Sequence, residues 1–114
     1  MAAGGELEVK LFDGPEVTDW ATVPMTDRMG ASGVSTHRTR KVGDVQMRFV
    51  SFGRDYVADH WCQTGHIIFV IDGKITIEHE DGRQYDVGAG MSYHVGDVPH
   101  RVSSQRGASI FVID

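Results

Sequence analysis

The sequence holds a single cysteine, Cys62, and three prolines among 114 residues. One thiol excludes an internal disulfide, so stability does not call for an oxidising compartment. There is no basic excess: 11 Lys and Arg stand against 16 Asp and Glu, a net charge of -5. That balance removes the cationic footprint that nucleic acid or an anionic membrane surface would need. The N-terminal MAAGGELEVK lacks a basic region followed by an apolar stretch, so no signal peptide is expected. The longest apolar run, HIIFVI at 66–71, is far too short to span a bilayer. A cytoplasmic protein with no membrane and no nucleic-acid partner is expected. Internal repeats, low-complexity segments, a phosphate-cradling glycine loop, a dinucleotide fingerprint and a serine–histidine–aspartate arrangement are all lacking. No window carries a sustained helical period.

What is present is a globular composition cut into short pieces. Hydrophobic residues make up 40% of the chain, and 14 glycines punctuate it. That is enough apolar material for one domain with a real core. The apolar pieces read as strands: 33–40, 45–52, the stretch around Ala58–Cys62, 66–71, 74–79, 83–87, 91–95, 100–104 and 108–113. About nine short strands at this spacing imply an all-β sandwich or barrel. Asp72-Gly73 and Asp81-Gly82 have the chemistry of tight turns that need positive φ, so 66–87 is expected to be a three-stranded meander. With a two-residue turn at Asp72-Gly73, Ile71 would pair with Lys74 and His66 with His79. The run HIIFVI does not alternate with polar residues, which predicts cover on both faces. One cover is the barrel interior. The other is a partner subunit, so a homodimer is expected. Residues 1–30 are expected to form an N-terminal arm and loop packing on the barrel or a partner, through Trp20, Val23 and Met25, with a loop over Met25–Ser35. The barrel itself is assigned to 31–114.

The informative stretch is DHWCQTGH at 59–66. In a strand, side chains two apart share a face. His60 and Cys62 would then point one way, Asp59 and Trp61 the other, and His66 keeps the parity of His60. Imidazoles and a thiolate converging from neighbouring strands are what a transition-metal site needs. His100 in GDVPHRV follows a turn forced by Gly96 and Pro99, which would set it at a barrel rim facing inward.

These two segments resemble the two cupin motifs. His60-x-Cys62, three residues, His66, six residues, Gly73 fits the spacing of the first. For the second, Gly88 or Gly90 starts the pattern, Gly96 carries the later glycine and His100 the histidine, with one extra residue before it and His94 near the proline position. From Trp20 to Asp114 the chain also resembles a small family of single-domain cupins marked by Asp-His-Trp-Cys, here Asp59–Cys62, together with YVADHWCQTGH, GMSYHVGD and the closing IFVID. The resemblance implies a double-stranded β-helix, or jelly-roll barrel, and a metal site, with no defined reaction. Carried over residue by residue, it assigns His60, Cys62, His66 and His100 to the metal. Cys62 stands where the usual motif has a histidine and His66 where it has a carboxylate. A softer, less negative site favours zinc, iron, nickel or copper over manganese or magnesium.

The function expected is a metal-binding small cupin that binds or acts on a small organic molecule in its barrel. The alternative is a non-enzymatic ligand- or metal-sensing module. The sharpest enzymatic option is an oxidoreductase resembling the three-histidine iron thiol dioxygenases. Cys62 is either a ligand or a thiol beside the metal. His79 has a face argument but no motif, His94 is expected to be structural, and His37 is expected on one face with Arg38 and Arg40. Asp59 could orient a turn and Trp61 pack on the outer face. Arg48 and Arg54 would bind a substrate carboxylate only if they faced the cavity. Tyr56, Tyr93 and Met47 are cavity or core candidates.

Overall fold

A computed structural model describes residues 14–114. Nine strands follow one another: β1 (Met25–Met29), β2 (Val34–Val42), β3 (Val45–Phe52), β4 (Tyr56–Val57), β5 (His66–His79), β6 (Gln84–Gly88), β7 (Ser92–Val95), β8 (His100–Ser104) and β9 (Ala108–Ile113). Every pairing is antiparallel. One sheet runs β1-β2-β3-β9-β5-β7 and the other β4-β8-β5-β6, so β5 belongs to both. The all-β expectation holds, and the curled sheet closes around an apolar interior.

The central strand is where the structure departs from the sequence reading. Asp72-Gly73 is not a hairpin turn. His66–His79 is one strand of 14 residues. Its first half pairs with β7 and β9, and its second half with β6 and β8. Between them the register slips at Val70/Asp72, a bulge that bends the strand from one sheet into the other. Gly73 has φ +79°, and a Cβ there would sit 2.4 Å from the Gly107 carbonyl oxygen. Only glycine fits that corner. His66 therefore lies opposite Val95, not His79, and His79 lies opposite His100. The other pair, Asp81-Gly82, does form a turn: Gly82 has φ +93°, and the Asp81 carboxylate accepts from the Arg83 amide at 3.0 Å.

Two further corrections concern elements. Met25–Met29 is strand β1, paired with β2 from Met25↔Arg38 to Met29↔Val34, where a loop was expected. The stretch around Ala58–Cys62 is not a strand. Tyr56–Val57 forms β4, and Cys62 makes a single bridge with His100. Of the N-terminal arm, residues 1–13 lie outside the described residues. The described part packs outside the barrel, not over its end. Trp20 meets Phe111 edge-on at 5.7 Å and Phe49 at 6.3 Å, and Arg38 donates to the carbonyls of Trp20 and Val23.

Alternation along the strands fills the interior. Val50, Phe52, Ile68, Val70, Ile75, Ile77, Ile110 and Val112 are buried. Their in-between neighbours on β5, Ile67, Phe69 and Ile71, are about half exposed in the single chain. Among the described residues nothing supplies the expected second cover for this apolar strand.

Candidate metal centre

Cys62, His66 and His100 come together at one rim of the barrel. Each arrives from a different element. The loop before β5 is stitched to β8 by Cys62 N–H to His100 O at 2.8 Å and His100 N–H to Cys62 O at 2.9 Å. His66 opens β5 and His100 opens β8. The loop lies close against the segment after β7 at Gly65. Gly65 donates to the Asp97 carboxylate at 2.9 Å, and a Cβ on Gly65 would stand 3.0 Å from the Val95 carbonyl. The thiol sulfur and one nitrogen of each histidine lie within 4.8 Å of one another.

The imidazoles are oriented, not merely close. His100 is buried, and its Nδ1 donates to the Val98 carbonyl at 2.6 Å. That fixes the proton on Nδ1 and leaves the Nε2 lone pair free. It points at His66 Nε2, 2.8 Å away. The His66 side chain is only 7% exposed, and its Nδ1 finds no hydrogen-bond partner among the described residues. The nearest acceptor is Asp114 Oδ2 at 3.7 Å, beyond hydrogen-bond length. Asp114 is brought there by the ladder: Ile67 pairs with Ile113, so His66 and Asp114 are neighbours on the inner face. Arg48 holds that carboxylate at 2.8 Å. Burial first, then the charges of His100 and Arg48, lower the His66 pKa to about 4, with Asp114 pulling the other way. His66 is thus a neutral imidazole at neutral pH, the form that ligates metal.

The other expected site residue is placed apart. His60 lies in the irregular segment before Cys62, so strand parity does not apply to it. Its side chain is 74% exposed, and its Nδ1 pairs with Asp59 at 2.6 Å. That bond lowers the Asp59 pKa. His60 stays at the cavity mouth, outside the three-residue cluster. His79 sits beside the cluster but is turned away, with Nε2 on the Tyr93 hydroxyl at 2.7 Å. Burial raises the Tyr93 pKa, so the phenol stays protonated beside it. His94 is exposed on the outer face opposite Ile67. Trp61 carries the Arg101 guanidinium over its ring at 4.6 Å. Arg54 is an exposed loop residue.

Below the cluster lies a cavity of about 450 Å³. Its walls are apolar, from Val50, Phe52, Ile68, Ile77, Ile110 and Val112, and Arg28, His37, Arg48 and Arg101 add polar groups. His37 was expected to share a face with Arg38 and Arg40. It points inward instead, because it pairs with Val50 while Arg38 pairs with Phe49. Period-two counting from Ser35 and His37 against Arg38 and Arg40 contained that signal. Asp114 was overlooked as well, although it continues the inward parity of Ile110 and Val112.

The backbone superposes on solved structures, a cupin domain among them. A cupin-2 domain protein from Shewanella frigidimarina superposes with a TM-score of 0.57 at 21% identity, covering 68% of this chain and 78% of that one. The polyketide cyclase RemF from Streptomyces resistomycificus gives 0.71 at 16% identity, covering 88% and 78%. Fe(II)-HppE with an alternative substrate gives 0.73 at 14% identity, covering 92% and 62%, so the chain spans less than two thirds of that protein. The fold is a cupin. No family model and no curated protein sequence matches the chain, so these likenesses concern the fold alone. In this cupin the bulge at Val70/Asp72, with Gly73 just past it, and the turn before His100 are the corners that bring β5 and β8 to one rim. A Cys–His–His cluster stands there.

Proposed function

We propose that this cupin binds a divalent transition metal through Cys62, His66 and His100 and holds a small organic molecule beside it in the barrel. The carrying observation is the convergence of one sulfur and two imidazole nitrogens within 4.8 Å at the rim of an apolar cavity. The donor set suits the metal class. Thiolate and imidazole select zinc, iron, nickel or copper over hard oxygen-seeking ions. The unpartnered, buried His66 Nδ1 fits as well: with Nε2 given to a metal, its N–H faces the Asp114 carboxylate, the partner that ligating histidines commonly have. A bound metal of this class would polarise a carbonyl, activate water or, as iron, support oxygen chemistry. The chain's own residues do the rest. Val98 fixes the His100 tautomer, Arg48 holds Asp114 against His66, and the apolar walls exclude water.

Fe(II)-HppE supports the oxidoreductase version by fold, and oxygen uptake by iron-loaded protein with small thiols tests it. The sensing version is favoured by a different observation. The carboxylates at the site are both engaged, Asp59 by His60 and Asp114 by Arg48, which leaves no free carboxylate base there among the described residues. Turnover with any metal and substrate would remove that version.

The test is elemental analysis of untagged protein. Roughly one metal per chain is expected in the parent and much less in H66A, H100A and C62A. H60A is expected to keep its metal, because His60 stands outside the cluster. D114N should weaken metal binding by about 10- to 100-fold. Full metal retention in H66A and H100A would overturn the site.

The exposed Ile67, Phe69 and Ile71 on β5 and Ile113 on β9 also support self-association through this outer face, which buries them against a second copy.

A further inference from the structure

We propose that the cavity selects a small organic anion, a carboxylate with an apolar body, whose charged end is held by Arg28, His37 and Arg48 while its body lies along the apolar wall towards the metal cluster. This rests on the reading of the cavity as a ligand pocket. It adds the class of ligand.

The ladder builds the anion site. Paired residues on antiparallel strands point to the same face. Arg28 pairs with Ser35, and Ser35 with Phe52. His37 pairs with Val50, and Arg48 with Val112. Phe52, Val50 and Val112 are core residues, so Arg28, His37 and Arg48 all face inward. All three line the cavity.

The hydrogen bonds inside it do not close. His37 Nε2 is paired with the Ser35 hydroxyl at 2.8 Å, but its Nδ1 is buried with no partner. Arg48 gives Nη2 to Asp114, and its Nε is buried with no partner. A buried polar group left empty is costly, Arg48 Nε is a donor, and groups of this kind are nearly always satisfied by something. Arg28 has no ion-pair partner among the described residues.

The charges point the same way. Arg101 is matched by Glu78 at 2.8 Å and Arg48 by Asp114, while Asp59 is engaged by His60. That leaves the Arg28 guanidinium uncompensated at the mouth. Burial first, then Arg28 and Arg48, lower the His37 pKa to about 4. The Arg28 and Arg48 share of that shift marks positive charge facing His37, and an anion there would be attracted by it. Guanidinium matches carboxylate in two-pronged geometry, and Val50, Phe52 and Ile110 demand an apolar body rather than a second charge.

The experiment titrates the purified protein, with and without chelator treatment, using hexanoate and benzoate against hexanamide and benzamide, by calorimetry. Metal content is measured on the same samples. The acids are expected to bind at least tenfold more tightly than their amides, before and after metal removal. R28Q should lose roughly ten- to hundredfold for the acids and little for the amides, the worth of a charge-assisted contact. R54Q, outside the cavity, should bind like the parent. Equal binding of acids and amides, unchanged affinity in R28Q, or no acid binding at all would each overturn the anion site. Metal lacking from the parent while acids still bind through Arg28 would overturn the metal reading and leave the anion site standing. Acid binding that disappears on chelation would show the metal itself as the anion's partner and overturn the site.

Discussion

At the scale of single residues, the cavity depends on which histidines stay neutral. His37 in the folded chain takes a proton only near pH 4, whereas in the unfolded chain it does so near 6.5. Between those values the unfolded state binds the proton that the folded state refuses. Stability is therefore full above about pH 6.5 and falls as pH drops towards 4, on the order of 1–3 kcal/mol for such a shift. Urea midpoints of the parent should fall across that window, and H37Q, which keeps a partner for Ser35, should show a flatter profile. Parallel profiles would remove His37 as the cause. The resemblance to the cupin motif spacing singled out Cys62, His66 and His100, together with His60. It misled at His60, where strand parity was applied to an irregular segment. The inward turn of His37 was contained in the period-two count along β2, while that of Arg28 was legible only through the ladder that decides which face is inside.

At the scale of elements, β5 shows how a local signal is overruled. Asp-Gly between apolar runs ordinarily makes a hairpin. At 81–82 it does, because a hairpin there lays Val87 against Ile75 in the core. At 72–73 the same dipeptide stays inside the strand just past the bulge at Ile71, because pairing with β9 on one side carries the strand straight through the corner. The chemistry required is the same positive φ, so the dipeptide alone cannot distinguish the two outcomes. The corner tolerates no side chain. Gly73→Ala should cost about 2–4 kcal/mol from strain and the clash with Gly107. Gly82→Ala meets open space and should cost only about 1 kcal/mol. Thermal melts of the two variants read the difference, and equal losses would contradict the corner's role.

At the scale of the whole molecule, the outer face of the larger sheet is unusually apolar. Met47, Ile113 and Ile67 form one cross-strand row, and Phe49, Phe111 and Phe69 the next. Trp20 covers part of it, while Ile67 and Phe69 stay 51% and 45% exposed. Light scattering at micromolar concentration should give twice the 12.6 kDa chain mass. F69D should give the chain mass alone, with metal content unchanged, because Phe69 points away from the cavity. A monomeric parent would sink self-association.

The sequence by itself determined the all-β class, the strand segments of β3, β8 and β9, and the residue types gathered at the rim. It did so because alternation and turn chemistry are local properties of the chain. Only the tertiary structure decided that β5 runs unbroken through both sheets, that His66 neighbours Asp114 and not His79, and that Arg28 looks inward. Those outcomes depend on which strands pair and in what register. Register is set by burying the whole apolar set at once, and no short stretch of sequence carries that information.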